Sequence, residues 1–222
     1  MVIKNNPEHD PAGDLKIVDA YMRWALLAAE EVVGKKGMSV VLREAKLERV
    51  IDNLPPNELK ASGGYSFGEY ASLNAALLNF FGRAAKSMVL RIGRLSAKQG
   101  IEQQGAMFGI AALIASKVLP FPAQVKLGLE AMRDGFVKVY GASGQKVEIV
   151  VEDRGDRIAY LDYGCANCAG KQSDAPMCWI HLGVIQEGLR WQTGKEAEVL
   201  QAECRAMGAA ACVWEVSKKA KE

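Results

Sequence analysis

An α+β fold is the architecture this sequence predicts: an antiparallel sheet of about four strands with helices packed on one face, preceded by a helical N-terminal region. Two observations carry it. Apolar residues recur every three or four positions as far as residue 142, as on one face of a helix, and from Lys146 onward the period drops to two. The resulting order of helices, strand, strand, helix, strand, strand calls for an antiparallel sheet covered by helices on one side.

The elements follow in order. Met1 to Asp14 is polar, carries Pro7 and Pro11 and lacks the apolar core of a signal peptide, so a cytoplasmic location is expected. Asp14 is placed to cap a helix with Ile17, Met22, Ala25 and Ala28 on one face, running to the stop at Gly34 and Gly37. Val40, Val41, Ala45, Leu47 and Ile51 suggest a second, short helix, which Pro55 and Pro56 end. Ser66 and Glu69 have the spacing of a capping box for a helix to about Phe81. Residues 83–99 and 122–140 read as amphipathic helices, the first with a basic strip of Arg83, Lys86, Arg91, Arg94 and Lys98 taken as a solvated face. The apolar run at 107–119 is shorter than the roughly 20 residues a bilayer needs and reads as a buried helix.

Val147, Ile149 and Val151 alternate with charged residues in a first strand, and residues 157–163 return as a second across a polar turn. Pro176 marks the first turn of a helix through Trp191, and residues 196–204 and 212–217 form a closing hairpin. The expected organisation is an N-terminal helical extension at 1–36, a main domain at 37–218 and a charged tail at 219–222.

Charge is nearly balanced, with 28 basic against 26 acidic residues, which argues against a dedicated nucleic-acid binder. No glycine-rich phosphate loop follows a strand, and the two histidines do not assemble into a nucleophilic triad. The chemistry sits in the cysteines. Cys165 and Cys168 form a C-x-x-C after the second strand, the spacing that lets two sulfurs chelate one ion. Cys178 lies near a helix start, where the dipole favours a thiolate, and Cys204 and Cys212 face each other across the final hairpin. His181, three residues after Cys178, is expected to be a packed residue rather than a ligand.

The stretches Met177-Cys178-Trp179-Ile180-His181-Leu182-Gly183, Leu189-Arg190-Trp191-Gln192-Thr193-Gly194, Ala202-Glu203-Cys204-Arg205-Ala206-Met207-Gly208 and Cys212-Val213-Trp214 resemble the 4-vinyl reductase domain family. Tyr65-Ser66-Phe67, Phe81-Gly82-Arg83 and Arg91-Ile92-Gly93 resemble its earlier segments, so the resemblance spans about residues 37–218. It implies a fold similar to that of TRAPP vesicle-tethering subunits and of the sensor domains of phenol-responsive activators. It also implies a homodimer that binds a small hydrophobic molecule, aromatic, hydrocarbon or tetrapyrrole-like, as sensor or carrier, with a structural zinc near the mouth of an apolar pocket.

In the sensor branch of the family three cysteines and a glutamate hold the zinc. The cysteines carry over to Cys178, Cys204 and Cys212, while the glutamate position holds Gln201, whose neutral amide is a poor zinc ligand. Cys165 or Cys168 is the expected replacement, and Glu203 is the other candidate, although a regular strand turns it away from Cys204. An iron–sulfur cluster on four of the cysteines is the alternative cofactor, because cluster and zinc sites share thiolate ligands. The family name also implies a part in reducing a tetrapyrrole vinyl group, but no nicotinamide or flavin fingerprint is present to deliver hydride. Tyr160, Tyr163, Trp179, Phe80, Phe81, Met107 and Phe108 are the expected pocket walls, without a membrane span or nucleic acid in the reading.

Overall fold

The computed structural model describes residues 1–62, 64–105 and 116–221. Its long helices are α1 (Asp19–Glu44), α2 (Phe67–Phe81), α3 (Ala85–Gln104), α4 (Phe121–Ala142) and α5 (Trp179–Thr193). The strands are β1 (Ile3–Asn5), β2 (Ile149–Arg154), β3 (Arg157–Asp162), β4 (Lys171–Ser173), β5 (Ala197–Glu203) and β6 (Cys212–Ala220). Strands β2, β3, β6 and β5 join in that order into an antiparallel sheet, as the sequence predicts, and β1 pairs with β4 in a separate ribbon. The helix expected at 107–119 lies mostly outside the described residues.

Strand periodicity decides which face each side chain enters. Ile158 and Tyr160 of β3 and Trp214 and Val216 of β6 point into the main core, whereas Ala159, Leu161 and Val213 form a small cluster on the opposite face. Helices α4 and α5 pack on the core side of the sheet, α3 packs on α5, and α1 packs on α3. The capping box at α2 forms as expected: Ser66 Oγ accepts from the Glu69 amide at 3.2 Å, and the Glu69 carboxylate accepts from the Ser66 amide at 2.8 Å.

Three expectations need correction. Asp14 does not cap α1 but ends a short 3₁₀ turn, Pro11–Asp14. The first amides of α1 need no side-chain cap, since those of Asp19 and Ala20 donate to the Lys60 and Glu58 carbonyls at 2.8 and 3.0 Å. Gly34, at φ 72 and ψ 162, interrupts α1 without ending it, so the separate short helix expected after residue 40 is instead the second half of α1. The expected boundary between residues 36 and 37 therefore falls inside one helix, and Ile17, Val18, Met22 and Trp24 share a core with Ile180 and Trp214. Pro176 stays outside α5, which begins after Cys178, whose amide is held instead by Gln201 Oε1 at 3.0 Å.

Arg94 also departs from the solvated strip. Its guanidinium reaches Glu187 on α5 at 3.1 Å and Glu196 beside β5 at 2.6 Å, and Lys86 lies 4.9 Å above the Trp179 ring. Those contacts are possible because α3 and α5 approach backbone to backbone. A Cβ added at Gly93 would collide with the Ile180 carbonyl oxygen, and one at Gly183 with that of Leu90. A backbone atom cannot swing aside as a side chain can. Gly93→Ala should therefore lose roughly 3 kcal/mol, the upper end for an overpacked core, and urea unfolding should show it as a lower midpoint at an unchanged slope.

Candidate functional site

All five cysteines converge. The C-x-x-C turn after β3, closed by the Cys168 amide on the Cys165 carbonyl, supplies two thiols; the residue preceding α5 supplies Cys178; the two ends of the β5–β6 turn supply Cys204 and Cys212. The Sγ atoms of Cys165, Cys168, Cys178 and Cys212 all lie within 4.8 Å of one another, and each is buried. Cys168 and Cys212 are 3.4 Å apart, Cys165 and Cys178 are 3.7 Å apart, and so are Cys178 and Cys212. Cys204 stands beside this group, 3.8 Å from Cys178.

The surroundings hold these sulfurs from several sides. Gln201, at the position where the resemblance implies a ligand, uses its side-chain oxygen on the Cys178 amide and its nitrogen on the Glu203 carbonyl, so its amide braces the site. Glu203 itself is exposed. The Arg205 amide donates to Cys212 Sγ at 3.4 Å. The Arg205 guanidinium donates to Asp10 at 2.9 Å, and the other oxygen of Asp10 takes the Gly170 amide at 2.9 Å. The polar N-terminal segment thus straps the thiol loops, with β1 laid along β4. Burial pushes the Cys178 thiol well up. Several thiolates this close and this buried need a cation to neutralise them, and four such cysteines are a donor set that can bind a metal.

Against the same loops lies a cavity of about 170 Å³. Its walls come from every layer: Tyr21 and Trp24 on α1, Phe67 and Tyr70 on α2, Met132, Phe136 and Tyr140 on α4, and Ile180, His181 and Trp191 on α5. Asp162, Ala166 and Asn167 form its floor, the last two being the residues between Cys165 and Cys168. Tyr21 Oη, Asn167 Oδ1 and His181 Nε2 are buried there without a hydrogen-bond partner. Burial also lifts the Asp162 carboxyl to about 7, despite the Gly164 amide bonded to it at 2.9 Å.

The cavity walls differ from those the sequence suggests. Tyr160, Tyr163, Trp179, Phe80 and Phe81 are not among its described lining residues, and Met107 and Phe108 lie outside the described residues. Phe80 and Tyr163 are exposed, and Tyr160 is a second layer behind His181, at 5.6 Å between ring centroids. The true walls carry a signal, the Tyr21 and Trp24 pair and the Phe136 and Tyr140 pair at helical spacing, but it is the signal of ordinary core.

His181 is packed, as expected, with its ring 4.4 Å from that of Trp214, and it also faces the cavity. Burial lowers it to about 4 from an ordinary 6.5, so the folded imidazole is neutral at neutral pH. The unfolded chain takes up a proton below pH 6.5 and the folded chain does not. The fold therefore keeps its full stability above pH 6.5 and loses roughly 3 kcal/mol through this group as pH falls from 6.5 to 4. His181→Gln should flatten that part of a denaturation-versus-pH profile, and parallel wild-type and variant profiles would contradict it.

The family model of the 4-vinyl reductase domain matches residues 163–218, the stretch that carries all five thiols. No curated protein matches the chain. Among solved structures, an unliganded Fe(II) H-NOX protein from K. algicida is 12% identical with a TM-score of 0.59, the match covering 93% of this chain and 97% of that one. An oxygen-binding H-NOX domain related to soluble guanylate cyclases, in its oxygen complex, is 13% identical with a TM-score of 0.59, at 93% and 96% coverage. An H-NOX protein from S. oneidensis in the Fe(II)NO state is 13% identical with a TM-score of 0.52, at 90% and 100%. At such identity the likeness speaks for the fold. Among the described residues no helix is long and apolar enough to cross a membrane. The chain thus carries a 4-vinyl reductase domain over residues 163–218, set within an α+β fold like that of H-NOX domains.

Proposed function

We propose that this chain is a small-molecule-binding domain, a sensor or carrier, whose cavity takes a compact, mostly apolar ring and whose cavity floor is held by one structural zinc ion. The observation that carries the proposal is the enclosed aromatic cavity built directly on the thiol loops, with unpaired polar atoms turned into it. An engineered apolar cavity of about 150 Å³ accepts benzene, so a cavity of about 170 Å³ suits one substituted aromatic ring. Each polar anchor is worth about 1 kcal/mol. Three of them shift affinity by roughly two decades, enough to choose among rings that apolar burial alone would bind alike.

The sulfur spacing supports a single ion. Four thiolates about 2.3 Å from a tetrahedral zinc lie roughly 3.8 Å from one another. The separations of 3.4–3.7 Å within the group of Cys165, Cys168, Cys178 and Cys212 match that, whereas a cluster sets several irons between its thiolates and spreads them wider. On this reading both cysteines of the C-x-x-C are ligands, and Cys204 is the fifth thiol beside a complete set. Zinc would link the floor of the cavity, the start of α5 and the β5–β6 turn.

Haem, which the H-NOX relatives name, does not fit this cavity. His181 Nε2 offers one axial donor, but a four-ring macrocycle is several times larger than the space beside it. The other histidine, His9, is exposed and paired with Asp14 at 3.1 Å.

Elemental analysis should give one zinc per chain. Cys168→Ala, Cys178→Ala and Cys212→Ala should each lose it together with thermal stability, and Cys204→Ala should retain it. Iron with acid-labile sulfide in its place would move the cluster reading ahead. A melting-temperature series with single-ring aromatics should rise with the logarithm of ligand concentration, by about 2.7 kcal/mol of stabilisation at a hundredfold excess over Kd. Haemin should leave its own spectrum unchanged. A sharp one-to-one Soret band, with no stabilisation by small rings, would overturn the single-ring reading.

A further inference from the structure

Asn167 occupies a place that no other side chain in the described cavity lining shares. It sits between Cys165 and Cys168, it is 4% exposed, and it lines the cavity. Its Oδ1 is buried without a hydrogen-bond partner. A buried acceptor left unpaired costs about 1–3 kcal/mol, so a molecule that brings a donor to it is favoured over an isostere that does not.

The backbone around Asn167 is fixed. Its carbonyl accepts from Asn74 Nδ2 at 2.9 Å, and the same nitrogen reaches the carbonyl of Met177, the residue before Cys178, at 3.0 Å. The Cys168 amide closes the turn on the Cys165 carbonyl at 3.3 Å. One buried asparagine on α2 therefore ties the C-x-x-C turn to the segment that presents the third thiol. Asn167 has little room to meet a ligand without shifting Cys165 and Cys168, and a displaced thiol in turn moves the cavity floor.

We propose, building on the cavity and metal reading above, that Asn167 is the residue that recognises a hydrogen-bond donor on the bound ring, a hydroxyl or an amine, and that this contact links ligand binding to metal retention. The linkage is reciprocal: a ring held on Asn167 Oδ1 stabilises the turn in its metal-holding geometry, and the metal-loaded turn presents the oxygen to the ring. Tyr21 Oη and His181 Nε2, also unpaired, complete the polar lining and can take a second substituent.

The test uses the zinc-loaded full chain with phenol and toluene, rings of similar size that differ in the donor. Phenol should bind at least tenfold more tightly than toluene, and saturating phenol should slow zinc extraction by a chelator at least fivefold, the low end of typical coupling, while saturating toluene should not. Asn167→Leu, close in volume, should bring phenol down to the affinity of toluene and abolish the protection of zinc. The comparison of the two rings on the wild-type chain stands even if that variant fails to fold. Equal binding of the two rings, or phenol binding that leaves zinc extraction unchanged, overturns this inference and leaves the cavity reading in place. Failure of both rings to bind overturns the cavity reading and this inference with it.

Discussion

Five buried sulfurs gathered in one place form the constraint on which the rest of the molecule turns. They come from three separate segments, the turn after β3, the residue before α5 and the two ends of the β5–β6 turn, and no disulfide joins them. Free thiols pack well enough as small apolar groups, yet packing alone does not call for five to point at one another. Once ionised around a cation they become a cross-link between segments far apart in sequence, and such a link stabilises most where the loops it closes are long. The N-terminal strap completes the arrangement, with Asp10 bonded to Gly170 on one side and Arg205 on the other.

The cavity depends on that cross-link from below and on close helix packing from above. Gly93 and Gly183 let α3 and α5 touch along their backbones, and Gly100 lets the Trp24 ring lie against α3. Small residues at the crossing points draw the helices together, while the large ones, Tyr21, Phe136, Tyr140 and Trp191, meet around a space they do not fill. Interiors normally close such spaces, because unfilled volume forfeits dispersion contacts. A void that keeps three unpaired polar atoms is more costly still, and a ligand that satisfies them offsets that cost.

Much of this was legible in the sequence where local rules dominate. The switch of period near residue 142, the Ser66 and Glu69 capping box and the hairpin that brings Cys204 to Cys212 are set by residues near one another in the chain, and all appear as read. The C-x-x-C pointed to metal for the same reason. What was not legible rests on distant partners. The start of α1 is satisfied by carbonyls of Lys60 and Glu58, so no cap residue marks it, and Gly34 reads as a stop although the helix resumes beyond it. Arg94 looks like one more charge on a wet face until Glu187 and Glu196 are placed beside it. The cavity walls are aromatic residues at helical spacing, which sequence cannot separate from core, because a side chain facing a void and one facing a neighbour obey the same pattern.

The direct test of the account is X-ray absorption at the zinc edge on protein purified without added metal. The account requires one zinc per chain with four sulfur neighbours at about 2.3 Å and no nitrogen or oxygen in the inner shell. A shell containing light atoms, or protein that is folded and free of metal, would contradict it.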